Sequence, residues 1–150
     1  IVLRDVIEPA IEYARANMEE KSLKFELEGA LDTTCLFDKN AINVVTRNLL
    51  SNSIKFTERN GEIAMRIEKH EDHILIQFID SGIGISGEMK ENLFEMKKDN
   101  KRTGTENEKS SGVGLFICKD LTEQNGGSIS VEDNPKGKGT IFNFTLKYAN

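Results

Sequence analysis

The stretch "NVVTRNLLSNSIKFT", residues 43–57, sets Asn48 and Asn52 four residues apart among Val, Leu and Ile. Positions four apart share one face of a helix. The surrounding periodicity predicts a helix from Lys39 to about Ile54, with Asp38 as its N-cap. Asparagine prefers caps and turns to helix interiors. Two of them on one face of an otherwise apolar helix, followed by Lys55, need a reason that helix propensity does not supply.

The flanking segments supply a scaffold. Residues 2–21 carry Val6 or Ile7, Ala10, Ile11, Ala14 and Met18 at helical spacing. Pro9 marks either the true first turn of that helix or a kink. "LKFELEG" (23–29) and "TTCLFD" (33–38) read as short strands about a turn at Gly29–Asp32. "EIAMRIEKHEDHILIQFID" (62–80) alternates in two runs about a polar "HEDH", which predicts a β-hairpin. A short helix is expected over 87–96. Residues 97–111 have no periodicity, and a loop of that length is usually a lid or a binding loop. "GVGLFICKDLTEQN" (112–125) reads as a helix stopped by Gly126-Gly127, and residues 128–148 as a final hairpin about "NPKGKG". This order predicts an α+β fold, a two-layer sandwich with helices on one face of a mixed, mostly antiparallel sheet.

At 150 residues the chain is expected to be one domain with a real core. Its net charge of −5, with no broadly basic face, argues against nucleic acid as partner. "KKDNKR" (97–102) is a local basic exception. No apolar run approaches the ~20 residues of a membrane span, so no direct membrane contact is expected. The chain begins at Ile1 rather than Met, which suggests an excised domain. Cys35 and Cys118 stand alone in apolar stretches and read as buried, reduced thiols, in keeping with a cytoplasmic location.

Glycines pair at 82 and 84, at 112 and 114, and at 137 and 139. Glycine permits close backbone approach and φ > 0, and the second pair opens a helix, where free N–H groups favour phosphate. No P-loop is present. Asp80 ends an apolar strand just before the first pair. It is either a turn-former or a carboxylate able to accept a hydrogen bond from an exocyclic amine.

Taken together these stretches resemble the ATP-binding catalytic domain of sensor histidine kinases, a branch of the Bergerat ATP fold. "NVVTRNLLSNSIKFT" is similar to that family's asparagine box, "DSGIGIS" to its first glycine box and "NLFEM" to its phenylalanine box. "GTENEKSSGVGLFICKDL" resembles the lid end and second glycine box, and "GKGTIFNFTL" the closing glycine box. Two features depart from the pattern: "LFEMKK" lacks a second aromatic, and Ser110-Ser111 stand where another glycine is usual.

The resemblance implies ATP and Mg²⁺ as cofactors. Asn52 then supplies an amide oxygen to the metal, with Asn48 on the same face as a second candidate ligand. Lys55 reaches phosphate as a point charge. Phe56 either walls the adenine pocket or belongs to the core. Asp80 accepts the adenine amino group, Gly82 and Gly84 let the backbone pass the base, and Thr140 supports the contact. Gly112, Val113, Gly114 and Leu115 wrap the phosphates, and Lys101 and Arg102 contact the γ-phosphate from the lid. Asn48 occupies the position where ATPases of this fold carry a glutamate base, and an amide cannot act as one. The implied catalytic set is therefore Asn48, Asn52 and Lys55, which prepare the γ-phosphate for an acceptor other than water.

His70 and His73 lie in the hairpin turn and are not that acceptor. The implied acceptor is a histidine on an upstream helical dimerisation domain, and the implied downstream partner is a response-regulator receiver domain. The alternatives are a degenerate module with a regulatory role and a protein-serine-directed kinase of the same fold.

Overall fold

The structure, a computed structural model, describes residues 1–95 and 114–148. Helix α1 (Arg4–Glu20) leads into β1 (Lys24–Gly29), followed by helix α2 (Lys39–Lys55), β2 (Glu62–Lys69), β3 (Ile74–Asp80) and helix α3 (Gly87–Asn92). Helix α4 (Gly114–Gln124), β4 (Ser128–Asp133) and β5 (Thr140–Leu146) complete the described chain. The five strands form one sheet in the order β1-β2-β3-β5-β4. Only β1–β2 is parallel; β2–β3, β3–β5 and β4–β5 are antiparallel. The expected α+β sandwich with a mostly antiparallel mixed sheet is the fold observed.

Alternation along the strands decides which face is covered. Ile63, Met65 and Ile67 of β2, Ile74, Ile76 and Phe78 of β3, and Phe142, Phe144 and Leu146 of β5 point into the core. They meet Val6, Ile7, Ile11 and Met18 from α1, Ile42, Val45, Leu49 and Leu50 from α2, and Cys118 from α4. Each such side chain contributes ~1.5–3 kcal/mol of burial. The opposite face is mixed: Leu75, Ile79 and Ile141 share it with polar side chains, among which Arg66 pairs with Glu28, and Gln77 donates to Asn143, which donates to Glu132.

Helix α2 begins where the sequence places it. The Asp38 carboxylate accepts from the N–H groups of Asn40 (2.7 Å) and Ala41 (3.1 Å). Helix α1 runs through Pro9 and ends in a Schellman motif: Leu23 N–H donates to Met18 O (2.9 Å) and Ser22 N–H to Glu19 O (3.0 Å), with Ser22 at φ 55°.

Two expectations fail. "TTCLFD" is not a strand, and the segment before it does not form a hairpin with it; β1 pairs in parallel with β2 instead, with α2 as the crossover. Residues 33–36 divide their backbone hydrogen bonds between the two ends of the described chain, so no ladder propagates. Leu3 N–H bonds Thr33 O, Cys35 N–H bonds Ile1 O, and Leu36 N–H bonds Lys147 O. The helix expected over 87–96 stops at Asn92. Leu93 then turns into the core, and Phe94 packs edge-on against Phe142 at 6.3 Å.

Cys35 and Cys118 are both buried and free. Burial pushes the Cys118 thiol up to about 12, and the Cys35 thiol up as well, so both stay protonated and unreactive at neutral pH. A thiol-labelling assay at pH 8 is expected to modify neither cysteine in the native protein and both once it is denatured. Rapid native labelling would contradict this core.

Candidate functional site

The C-terminal half of α2 presents Asn48, Asn52 and Lys55 half-buried on one side. Each asparagine amide donates back along the helix: Asn48 Nδ2 to Val44 O (2.8 Å) and Asn52 Nδ2 to Asn48 O (3.0 Å). These bonds occupy the N–H₂ groups and turn the amide oxygens away from the helix backbone. The Asn48 Oδ1 lies against Gly114, only 2.9 Å from where a β-carbon would stand. Helices α2 and α4 are thus in contact at the asparagine face. Lys55 edges a cleft of about 170 Å³ between α1 and α2. Beside it, the Arg47 guanidinium stands 4.2 Å from the Tyr13 ring centroid.

Asp80 ends β3, the central strand, and is only 4% exposed. Its Oδ1 accepts from the backbone N–H of Gly82 (2.9 Å) and of Thr140 (3.1 Å). Its carbonyl accepts from Asn134 Nδ2 at 2.9 Å. Asp80 is therefore more than a turn-former: one residue ties together the end of β3, the loop after it and the start of β5.

Two glycines make this closure possible. A β-carbon on Gly82 would fall 2.1 Å from Phe56 O, and the neighbouring Ile83 N–H donates to the same carbonyl at 2.9 Å. A β-carbon on Gly139, at φ +109°, would fall 1.9 Å from Asp80 O. The first glycine loop is thereby pressed against the end of α2, and the third glycine pair against Asp80. Gly84 sits in the same loop at φ +77°. Across a groove of about 390 Å³ it faces Gly137, Lys138 and Gly139.

The structure thus brings Asn48, Asn52, Phe56, Asp80, Gly82, Gly84, Gly114 and Thr140 into one linked region. Phe56 is buried but is not part of the contiguous apolar cluster formed by the described residues. Leu115 is half-buried and packs against that cluster. Lys101, Arg102, Gly112 and Val113 lie outside the described residues.

Sequence reasoning missed two residues. Asn134 holds Asp80 and also caps its own turn, its Oδ1 accepting from Lys136 N–H and its carbonyl from Gly137 N–H. The signal was present in "DNPKG", an Asn-Pro turn. Lys21 is 4% exposed and donates to carbonyls at the end of α2. Nothing local in the sequence marks it.

The glycine contacts are directly testable. Gly139→Ala is expected to lower stability by roughly 2–4 kcal/mol, from positive-φ strain together with the clash against Asp80. Gly87→Ala, where a β-carbon meets nothing within 4 Å, should be neutral or stabilising. Thermal denaturation of the two variants checks the contrast.

Comparison with known proteins accords with this geometry. Residues 37–150 match the family model described as "Histidine kinase-, DNA gyrase B-, and HSP90-like ATPase". Over 128 residues the chain is 34% identical to the circadian input-output histidine kinase CikA of Synechocystis sp., covering 85% of this chain and 17% of that protein. The chain therefore spans less than a fifth of this curated relative. The nucleotide-free catalytic domain of histidine kinase ThkA superposes with a TM-score of 0.85 at 24% identity, covering 99% of this chain and 96% of that one. The structure of ThkA in complex with response regulator protein TrrA superposes with a TM-score of 0.78 at 23% identity, covering 99% of this chain and 41% of that one. The chain belongs to the histidine kinase-, DNA gyrase B- and HSP90-like ATPase family, and within it is an ATP-binding catalytic domain of the histidine kinase type.

Proposed function

We propose that this domain binds Mg-ATP and donates the γ-phosphate to a histidine on a separate helical dimerisation domain of a two-component sensor kinase. The observation that carries this reading is the buried Asp80 carboxylate, oriented by two backbone N–H groups beside the asparagine face of α2. A carboxylate so held is a directional acceptor for the adenine amino group. Phe56, Gly82, Gly84 and Thr140 form its immediate surroundings.

The asparagine face suits the phosphate end. Mg²⁺ takes oxygen ligands and keeps several waters, so one or two neutral amide oxygens suffice. With their N–H₂ groups engaged by helix carbonyls, Asn52 and Asn48 offer such oxygens. The metal would neutralise charge on the phosphate oxygens, and Lys55 would add a positive charge near them. Lys101, Arg102, Gly112, Val113, Gly114 and Leu115 complete the proposed phosphate surroundings.

Helix α2 contains no Asp or Glu from Lys39 to Lys55, so it supplies no base to activate water. Phosphoryl transfer depends mainly on positioning and charge neutralisation. An acceptor imidazole nitrogen then attacks the γ-phosphorus in line, the bond to the β–γ bridging oxygen breaks, and ADP leaves with the electron pair. The described histidines do not fit the acceptor. His70 and His73 stack on each other at 4.7 Å in the β2–β3 turn and pair with Glu68 and Asp72.

On this reading the whole chain, residues 1–150, is the catalytic and ATP-binding domain, and a response-regulator receiver domain is the downstream partner; a solved structure of similar fold holds histidine kinase ThkA in complex with response regulator protein TrrA. No described helix is long and apolar enough to cross a membrane. A cytoplasmic location follows from the proposed use of ATP and from two free thiols.

Calorimetric titration with a non-hydrolysable ATP analogue tests the site. Asp80→Asn should weaken binding roughly ten- to a hundredfold, the ~1.5–3 kcal/mol of hydrogen bonding to a charged group. Asn52→Ala should abolish the Mg²⁺ dependence of triphosphate binding while sparing adenosine. In the parent protein, labelled γ-phosphate should appear on a histidine in acid-labile linkage. Rapid ATP hydrolysis by the isolated domain would sink the transfer reading.

A further inference from the structure

Lys21 lies at the C-terminus of α1, yet its ammonium serves α2. The residue is 4% exposed, and lysine is almost never that buried unless its charge is satisfied. Here Nζ donates to Ile54 O (2.8 Å), Lys55 O (3.2 Å) and Thr57 O (3.1 Å). The first two belong to the last turn of α2, and Thr57 follows just beyond its C-cap Phe56. The one carbonyl in the run that Lys21 does not take, Phe56 O, accepts from Ile83 N–H and lies against Gly82. Four consecutive peptide carbonyls are thus fixed, three by one ammonium and the fourth by the first glycine loop.

The strap is reciprocal. Arg59, just beyond α2, donates to Glu20 O at the end of α1 (2.7 Å), and Asn60 N–H donates to Lys21 O (3.0 Å). Each helix has its final carbonyls held by a cation from the other's exit.

The electrostatics give this arrangement a consequence for ligands. A helix C-terminus carries roughly half a negative charge. Phosphate groups are normally received at the opposite, positive end of a helix. Lys55, proposed to meet phosphate, stands in the last turn of α2, at the unfavourable pole. An ammonium seated on those carbonyls offsets the negative pole at its source.

We propose that Lys21 is a positioning residue of the nucleotide site: its buried ammonium holds the last turn of α2, so that Lys55, Phe56 and the first glycine loop stand in binding geometry, and it cancels a field that would repel phosphate. The inference rests on the nucleotide reading above.

The test is calorimetric titration of the folded domain with adenosine and with a non-hydrolysable ATP analogue plus Mg²⁺, alongside thermal denaturation. It compares wild type with Lys21→Met, Lys21→Gln and Lys21→Arg. Leu146→Ala, a core truncation in β5, serves as the control for lost stability. Lys21→Met should raise the triphosphate Kd tenfold or more, and adenosine Kd by less. Lys21→Arg, which keeps charge and donors, should stay within threefold of wild type. Should Lys21→Met not fold, Lys21→Gln against Lys21→Arg carries the comparison. A lowered melting temperature with unchanged triphosphate Kd, as expected of Leu146→Ala, would reduce Lys21 to a structural weld and overturn the proposal. Wild-type protein that binds neither ligand would instead remove the nucleotide reading beneath it.

Discussion

Everything at this site converges on the hydrogen bonds around Asp80. A carboxylate at the end of a central strand is expensive to bury, since desolvation opposes its charge. Two backbone N–H groups, from Gly82 and Thr140, meet one of its oxygens. Those donors come from either side of β3, one from the loop that follows it and one from the neighbouring β5. Satisfying Asp80 therefore sets the path of the glycine loop and the start of β5 together. Asn134 completes the closure from the β4–β5 turn by holding the Asp80 carbonyl. Without side chains at Gly82 and Gly139 these backbones pass at distances no β-carbon allows.

The second constraint is the end of α2. The helix packs one face into the core through Ile42, Val45, Leu49 and Leu50, and that packing leaves Asn48, Asn52 and Lys55 on a side shared with α4 and the glycine loop. The antiparallel strands β2, β3 and β5 form the base beneath it. A layered fold with helices on one face thus divides the work: the sheet anchors the carboxylate, and the helix layer carries the amides and the cation.

Much of this was legible from local pattern. Period-two alternation located β2 and β3, and Asp38 located the start of α2. Spacing alone put Asn48 and Asn52 on one face. What escaped was non-local. Lys21 meets its partners 33 to 36 residues away, and Asn134 meets Asp80 across 54. A buried lysine and a surface lysine look alike in a sequence, because the difference lies in which carbonyls converge on it. "TTCLFD" misled for a related reason. Its apolar, β-prone residues are genuine burial signals, as Cys35 and Phe37 show, but its backbone partners are single bridges to distant segments rather than a strand.

The back-bonded amides of Asn48 and Asn52 have a consequence for how binding is distributed between order and contact. Each side chain is tethered to its own helix one turn earlier, so its rotamer is selected before any ligand arrives. Freezing a side chain on association costs about 0.5–1.5 kcal/mol. For these two that entropy is already surrendered during folding, on a helix whose backbone is rigid. The same tether sacrifices adaptability: an amide that has lost its freedom can serve only ligands whose oxygen-seeking atoms fall along one fixed direction. Selectivity at this end of the site then resides in the stiffness of the helix itself.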